Sequence, residues 1–211
     1  MNHPIELRIS MRIGRFLQLC IVMATLSATL ARADDVVAIS LAHDSPAEQQ
    51  VERRLRALLA ENDLSRWTIT RRIIIDETEI PHSHPVLTLH ARHRHDDELL
   101  LSTYVHEQMH WFLASRQKQT AAAEAELRTL YPKIPVGFPE GSSDDDGNYE
   151  HLLVIYLEYR ADQDLMGELK ARAVMQFLAN DHYTWLYAKV LAEPRIIGEL
   201  VRKYQLVPGK S

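Results

Sequence analysis

The sequence predicts an α+β fold, mostly helical, in which a small antiparallel sheet precedes a helix carrying a pair of histidines. Three observations predict it. Apolar residues recur at helical spacing along most of the second half of the chain, and again from Val51 through Leu55, Leu58 and Leu59. Two short runs rich in β-branched residues, Trp67 to Ile75 and Pro85 to Leu89, flank a turn bearing Pro and His. Between those runs and the later helices stands His106-Glu107-Gln108-Met109-His110, whose four-residue spacing puts both histidines on one face of a helix.

The chain begins with Arg12 and Arg15 ahead of a 15-residue apolar run, Phe16 to Leu30, and then Ala31-Arg32-Ala33. That layout predicts a secretory signal over residues 1–33, with Met11 a candidate true start and Asp34 the first residue of the exported chain. The run is shorter than the roughly 20 residues a membrane-crossing helix needs, so no transmembrane helix is expected once the signal is removed, the alternative being an uncleaved anchor that holds the domain to the outer face of a membrane. Residues 34–211 then form one domain, large enough for a single core. Of the 24 basic and 29 acidic residues, 4 and 1 fall in the signal, which leaves 20 against 28 and a charge of −8. A net negative domain is a poor partner for nucleic acid. Cys20, the only cysteine, also lies in the signal, so metal ligands in the domain must be His, Asp or Glu.

Ser45-Pro46-Ala47-Glu48 reads as a capping box with Pro at the first helical position and opens a helix to about Ala60. The two extended runs follow as the expected antiparallel sheet. Asp96 and Asp97 can cap the next helix, which runs to about Ala114 and carries the His-Glu-x-x-His segment. Ala121 to Leu130 is helical by propensity and stops before Tyr131-Pro132. Residues 131–147 hold three prolines, three glycines and the acidic run Asp144 to Asp146, the composition of a long surface loop, either a substrate rim or a solvated linker. A helix then opens at Asn148 or Tyr149, and the remainder is helical in two or three pieces broken near Asn180-Asp181 and at Pro194.

The chemistry follows from the residue types. Two neutral imidazoles and a third protein donor hold Zn²⁺ with one coordination position open, and the ion brings the pKa of a water there towards about 7. Glu107 projects beside the pair and can take that water's proton. For the third donor the spacing offers Glu158-Tyr159-Arg160-Ala161-Asp162, in which Glu158 and Asp162 share one helix face. Glu158 is the expected ligand and Asp162 the group that orients a ligand histidine through its free ring nitrogen. Glu150, at the expected start of the same helix, is the alternative ligand.

These two segments resemble the gluzincin metallopeptidases, most of all the family that contains the heat-shock membrane protease and the prenyl-protein endopeptidase. The resemblance implies a zincin-like domain, zinc bound by His106, His110 and Glu158, Glu107 as general base, and Asp162 in support of a ligand histidine. For the oxyanion of a peptide-hydrolysis transition state, His182 and Tyr183 are the candidate donors, beside the reading in which the aromatic residues there simply pack the last helices. His82, His84, His90, His93 and His95 crowd the approach to the motif helix, as a second metal site or as polar edge and turn residues. His151 is expected to line the cleft or pack within it. The expected function is an exported, periplasmic or secreted zinc metallopeptidase acting on proteins or peptides. The alternatives are a zinc amidase of cell-wall peptides and a non-catalytic zinc-binding envelope protein.

Overall fold

The computed structural model of this chain describes Met1 and residues 36–209, so the expected signal and its cleavage point, apart from Met1, lie outside the described residues. Among the described residues no helix is long and apolar enough to cross a membrane.

Three strands open the fold: β1 (Ala38–Leu41), β2 (Arg72–Ile75) and β3 (Leu87–Leu89), side by side in that order. Both pairs are parallel, with Ile39 opposite Ile73 and Ile73 opposite Leu87, so the antiparallel sheet predicted above is overturned. The physical reason lies in the connections. Strand β1 lies just after the expected signal and was not foreseen; with helix α1 (Pro46–Glu61) after it, the chain makes a β-α-β crossover, which returns parallel. After β2 the chain doubles back on itself within residues 76–86. The antiparallel pairing is confined to one bridge, in which His82 N–H donates to the Thr88 carbonyl at 3.1 Å and Thr88 N–H to that of His82 at 2.8 Å.

Strand β2 is also shorter than the run Trp67 to Ile75. The backbone of Ile69 and Thr70 is bonded elsewhere: both N–H groups donate to Gln108 Oε1 at 2.8 Å, and Gln108 Nε2 donates to the Thr70 carbonyl at 2.9 Å. Their backbone groups thus find partners on a helix instead of a neighbouring strand. Glu48 ties the other end of the sheet. Ser45 Oγ accepts from Glu48 N–H as a cap should, while the buried Glu48 carboxylate accepts from the N–H groups of His43 and Glu77.

Helix α2 (Asp97–Ala114) is capped by Asp96, whose Oδ1 accepts from Leu99 N–H at 3.0 Å. Leu100, Tyr104, Val105, Met109, Phe112 and Leu113 are buried around its circumference, the signature of a central helix. Helix α3 (Gln117–Leu130) follows, and α4 (Asp145–Met166) packs along α2 as the second central helix. It starts a turn earlier than expected, with Asp144 Oδ1 accepting from Gly147 N–H at 2.7 Å. Gly167, at φ +85°, separates α4 from α5 (Glu168–Leu178) in a conformation that other residues rarely adopt. Helices α6 (Thr184–Ala192) and α7 (Pro194–Lys203) complete the domain, with breaks at the two expected places.

Candidate metal centre

Ser102, His106 and His110 form a stripe along α2, one turn apart, and the stripe faces α4. Helix α4 answers with His151, Glu158 and Asp162, also on one face because seven residues make two turns. Where the two stripes meet, His106, His110 and His151 each offer a donor atom, and these atoms all lie within 4.8 Å of one another. The trio is buried or nearly so and could hold a metal ion. Ring centroids are 5.2 Å apart for His106 and His110, 4.8 Å for His110 and His151, and 5.6 Å for His106 and His151.

Each ring is anchored through the same nitrogen. His106 Nδ1 lies 2.8 Å from Glu158 Oε2, His110 Nδ1 2.8 Å from Glu150 Oε1, and His151 Nδ1 donates to the Gly147 carbonyl at 2.7 Å. A carboxylate and a carbonyl can only accept, so Nδ1 carries the proton and Nε2 is left with its lone pair for a metal. The donor set therefore fits a cation of the kind that imidazoles bind. Burial, with the charges of His110 and His106, pushes His151 down to about 3. Burial also holds His106 well below the ordinary histidine range. Both are thus neutral, the ligating form, at neutral pH. Burial lowers His110 too, but the Glu150 hydrogen bond and the charges of Glu107, Glu150 and Glu158 outweigh it and raise the ring.

The sequence-predicted residues take different places from those expected. Glu158, 1 % exposed, is spent on His106 Nδ1 and on Ser102 and Tyr187, and the third member of the convergent group is His151. Asp162 does not reach a histidine; its Oδ2 lies 2.8 Å from Ser102 Oγ, one step further from the centre. Glu150 stands in the second turn of α4, clear of the frayed end, and orients His110. Extending the Glu158–Asp162 face back by two turns would have reached His151.

Glu107 is 5 % exposed, and burial pushes its carboxyl up to about 7. Tyr183 lies over the third histidine, with its ring centroid 4.4 Å from that of His151, and burial followed by the Glu107 charge raises its hydroxyl. His182 Nδ1 is 2.8 Å from Asp181 Oδ2, and Arg92 Nη1 donates to the same oxygen at 2.9 Å. Its ring centroid is 5.7 Å from that of Tyr187, which donates to Glu158. The structure thus sets Tyr183 against His151, Glu107 within electrostatic reach of His110, and His182 within that of His106.

The loop between α3 and α4, residues 131–144, is what places Tyr183. Tyr183 sits at φ +49° ahead of α6, which has no side-chain cap. The first N–H groups of α6 are met by the loop instead, Thr184 donating to the Pro139 carbonyl at 2.9 Å and Trp185 to that of Glu140 at 3.1 Å. Asn148 holds the loop shut: its Oδ1 accepts from Ser142 N–H at 2.7 Å and its Nδ2 donates to the Pro135 carbonyl at 3.0 Å. At Gly141 a Cβ would come within 2.0 Å of that same carbonyl oxygen, so no side chain fits. The loop therefore joins His151, through Gly147, to Tyr183.

The histidines at 82–95 do not converge. Among the described residues, the groups that could take a metal are the buried trio and a set of His43, Glu48 and Asp76. No family model matches the chain, and no curated protein or solved structure is significantly similar to it.

Proposed function

We propose that this chain is a zinc-dependent hydrolase of peptide bonds, with His106, His110 and His151 as ligands and Glu107 as general base. One observation carries the reading: three imidazoles anchored outward through Nδ1 converge on one centre, and a buried carboxyl on the same helix as two of them, within electrostatic reach of His110, is poised near neutrality. Zn²⁺ bound there supplies a Lewis acid that polarises a carbonyl and makes a nearby water acidic. The protein residues do the rest. Glu107, raised to about 7 by burial, is matched to accepting a proton from water and passing it to a leaving amine at neutral pH. Tyr183, fixed over His151, and His182, gripped by Asp181 and Arg92, are the donors available to a developing oxyanion. Glu150, Glu158 and the Gly147 carbonyl keep the rings from turning.

The gluzincin resemblance supports hydrolysis through the His-Glu-x-x-His helix, with a histidine in the place where that family uses Glu158. Export to the periplasm or beyond belongs to the same proposal and rests on the sequence of residues 1–33. The test is to purify the chain without chelators, measure bound metal, and assay cleavage of a peptide library by the wild type and Glu107→Gln. Zinc near one per chain in both proteins, with turnover in the wild type alone, is the expected result. Equal biological effect with no turnover in either protein would instead support a non-catalytic zinc-binding role.

A further inference from the structure

Behind the trio lies a chain of buried groups that the hydrolytic step does not use. Ser102 Oγ is 2.7 Å from Glu158 Oε1 and 2.8 Å from Asp162 Oδ2. Both carboxyl groups are almost wholly inaccessible, at 1 % for Glu158 and 0 % for Asp162. A hydroxyl carries one proton and can donate to only one of them. Were both carboxyls ionised, the second contact would set a lone pair against an anionic oxygen in a dry interior, a contact with no stabilising sign. One of the two must carry a proton.

The partners decide which. Glu158 receives His106 Nδ1–H at 2.8 Å and the Tyr187 hydroxyl at 3.1 Å on Oε2, besides Ser102 on Oε1. Three donors converging on one carboxylate favour its anion. Asp162 has only Ser102, and its Oδ1 is buried without a hydrogen-bond partner. An anion there would leave a charged oxygen buried without a hydrogen-bond partner.

We propose that Asp162 is a neutral acid in the folded protein, donating from Oδ2 to Ser102 Oγ, whose own proton then points to Glu158 Oε1, and so fixes the direction of a relay that orients His106. Asp162 is then a positioning residue whose effective form is the acid, the opposite of an aspartate that accepts from a ligand histidine. Burial and the neighbouring Glu158 charge push the Asp162 carboxyl far above the ordinary range, in the same sense. The relay ends on the metal histidine without touching substrate. Because an amide can donate where the protonated acid does, Asp162→Asn should substitute for it, whereas Ser102→Ala should not.

The proton itself is tested by infrared spectroscopy of the whole chain at a pH of about 8, where Glu107, Glu124 and Glu158, each raised to about 7 by burial, are largely ionised. The difference between wild type and Asp162→Asn should show the carbonyl stretch of a protonated carboxylic acid, lost in the variant. Its absence from the wild type overturns the proposal. The second arm, titration with zinc alone, rests on the metal reading above. Asp162→Asn should bind zinc within about threefold of the wild type, and Ser102→Ala about 10- to 100-fold more weakly, the usual loss when a group behind a ligand is removed. Loss in Asp162→Asn equal to that in Ser102→Ala, or tolerance of Glu158→Gln with intolerance of Asp162→Asn, places the proton on Glu158 and overturns the assignment. If the wild type takes up no zinc, the metal reading fails, and the infrared band still decides the proton.

Discussion

Two groups of histidines in this protein are equally conspicuous in the sequence, and the structure treats them in opposite ways. His106, His110 and His151 come from two facing helices, and each has Nδ1 held by an acceptor behind it. In the 82–95 stretch the rings are satisfied next door. His82 Nδ1 bonds the Ile80 carbonyl and His84 Nδ1 the Ser83 hydroxyl, while His90 Nδ1 accepts from Arg92 N–H and His95 Nδ1 from Gln50 Nε2. His84 stacks on Trp111 at 4.2 Å, and His93 meets Phe177 edge-on. A dense run of histidines on a turn and a short 3₁₀ segment is taken up singly, by its own backbone at His82 and His90 and by separate helices at His84, His93 and His95. Convergence needs rigid elements that bring distant rings together and acceptors that aim them.

That contrast can be broken most forcefully at His151. His151→Ala should abolish stoichiometric zinc binding and with it turnover, whereas the double variant His90→Ala with His95→Ala should bind zinc like the wild type. Metal analysis after gel filtration reads both, and equal zinc in the His151→Ala protein would end the three-histidine assignment. Glu107→Gln should keep the metal and lower kcat by about 10²- to 10⁴-fold, the range for losing a general base. Tyr183→Phe, also with metal retained, should lower kcat by up to about 10²- to 10³-fold if its hydroxyl meets the oxyanion. An unchanged kcat would reduce Tyr183 to a packing residue over His151.

Smaller effects probe the supports. Asn148→Ala leaves the buried Ser142 N–H without its acceptor and the Pro135 carbonyl without its donor, and should destabilise the fold by about 1–3 kcal/mol in urea unfolding. It should also loosen the 137–142 turn, visible as faster proteolysis near Phe138. The last test is pH-dependent. An unfolded Asp162 ionises above its ordinary value of 3.8, while the folded one keeps its proton to far higher pH. Over that interval the folded state binds more protons, so stability falls as pH rises. Asp162→Asn removes that loss, and its melting temperature should exceed the wild type's by a margin that widens from about pH 4 to about pH 8. A constant margin would show Asp162 ionised in both states.

Much of the site was legible in the residues themselves. The spacing of His106, Glu107 and His110 carries its own geometry once the segment is helical, and the apolar pattern around it makes it so. The pairing of Glu158 with Asp162 likewise marked the face of α4 that turns inward. Their roles were not legible, because whether a carboxylate reaches a metal or the back of a histidine depends on the distance between two helices. The sheet shows the same limit: Trp67 to Ile75 has the composition of a strand, yet Gln108 takes the backbone groups of Ile69 and Thr70. A turn bearing Pro and His between two extended runs suggests a hairpin, yet the strands β1, β2 and β3 run parallel and the antiparallel pairing of that stretch is a single bridge at His82.

By itself, then, the sequence determined the helices, their caps at Ser45 and Asp96, and a pair of metal-competent histidines, since each depends on contacts within a few residues. Tertiary structure alone decided that His151 is the third ring, that Glu150 and Glu158 stand behind histidines, and that the 131–144 loop carries Tyr183 to the centre. Those choices turn on ångström-scale separations between elements far apart in the chain, which local spacing does not encode.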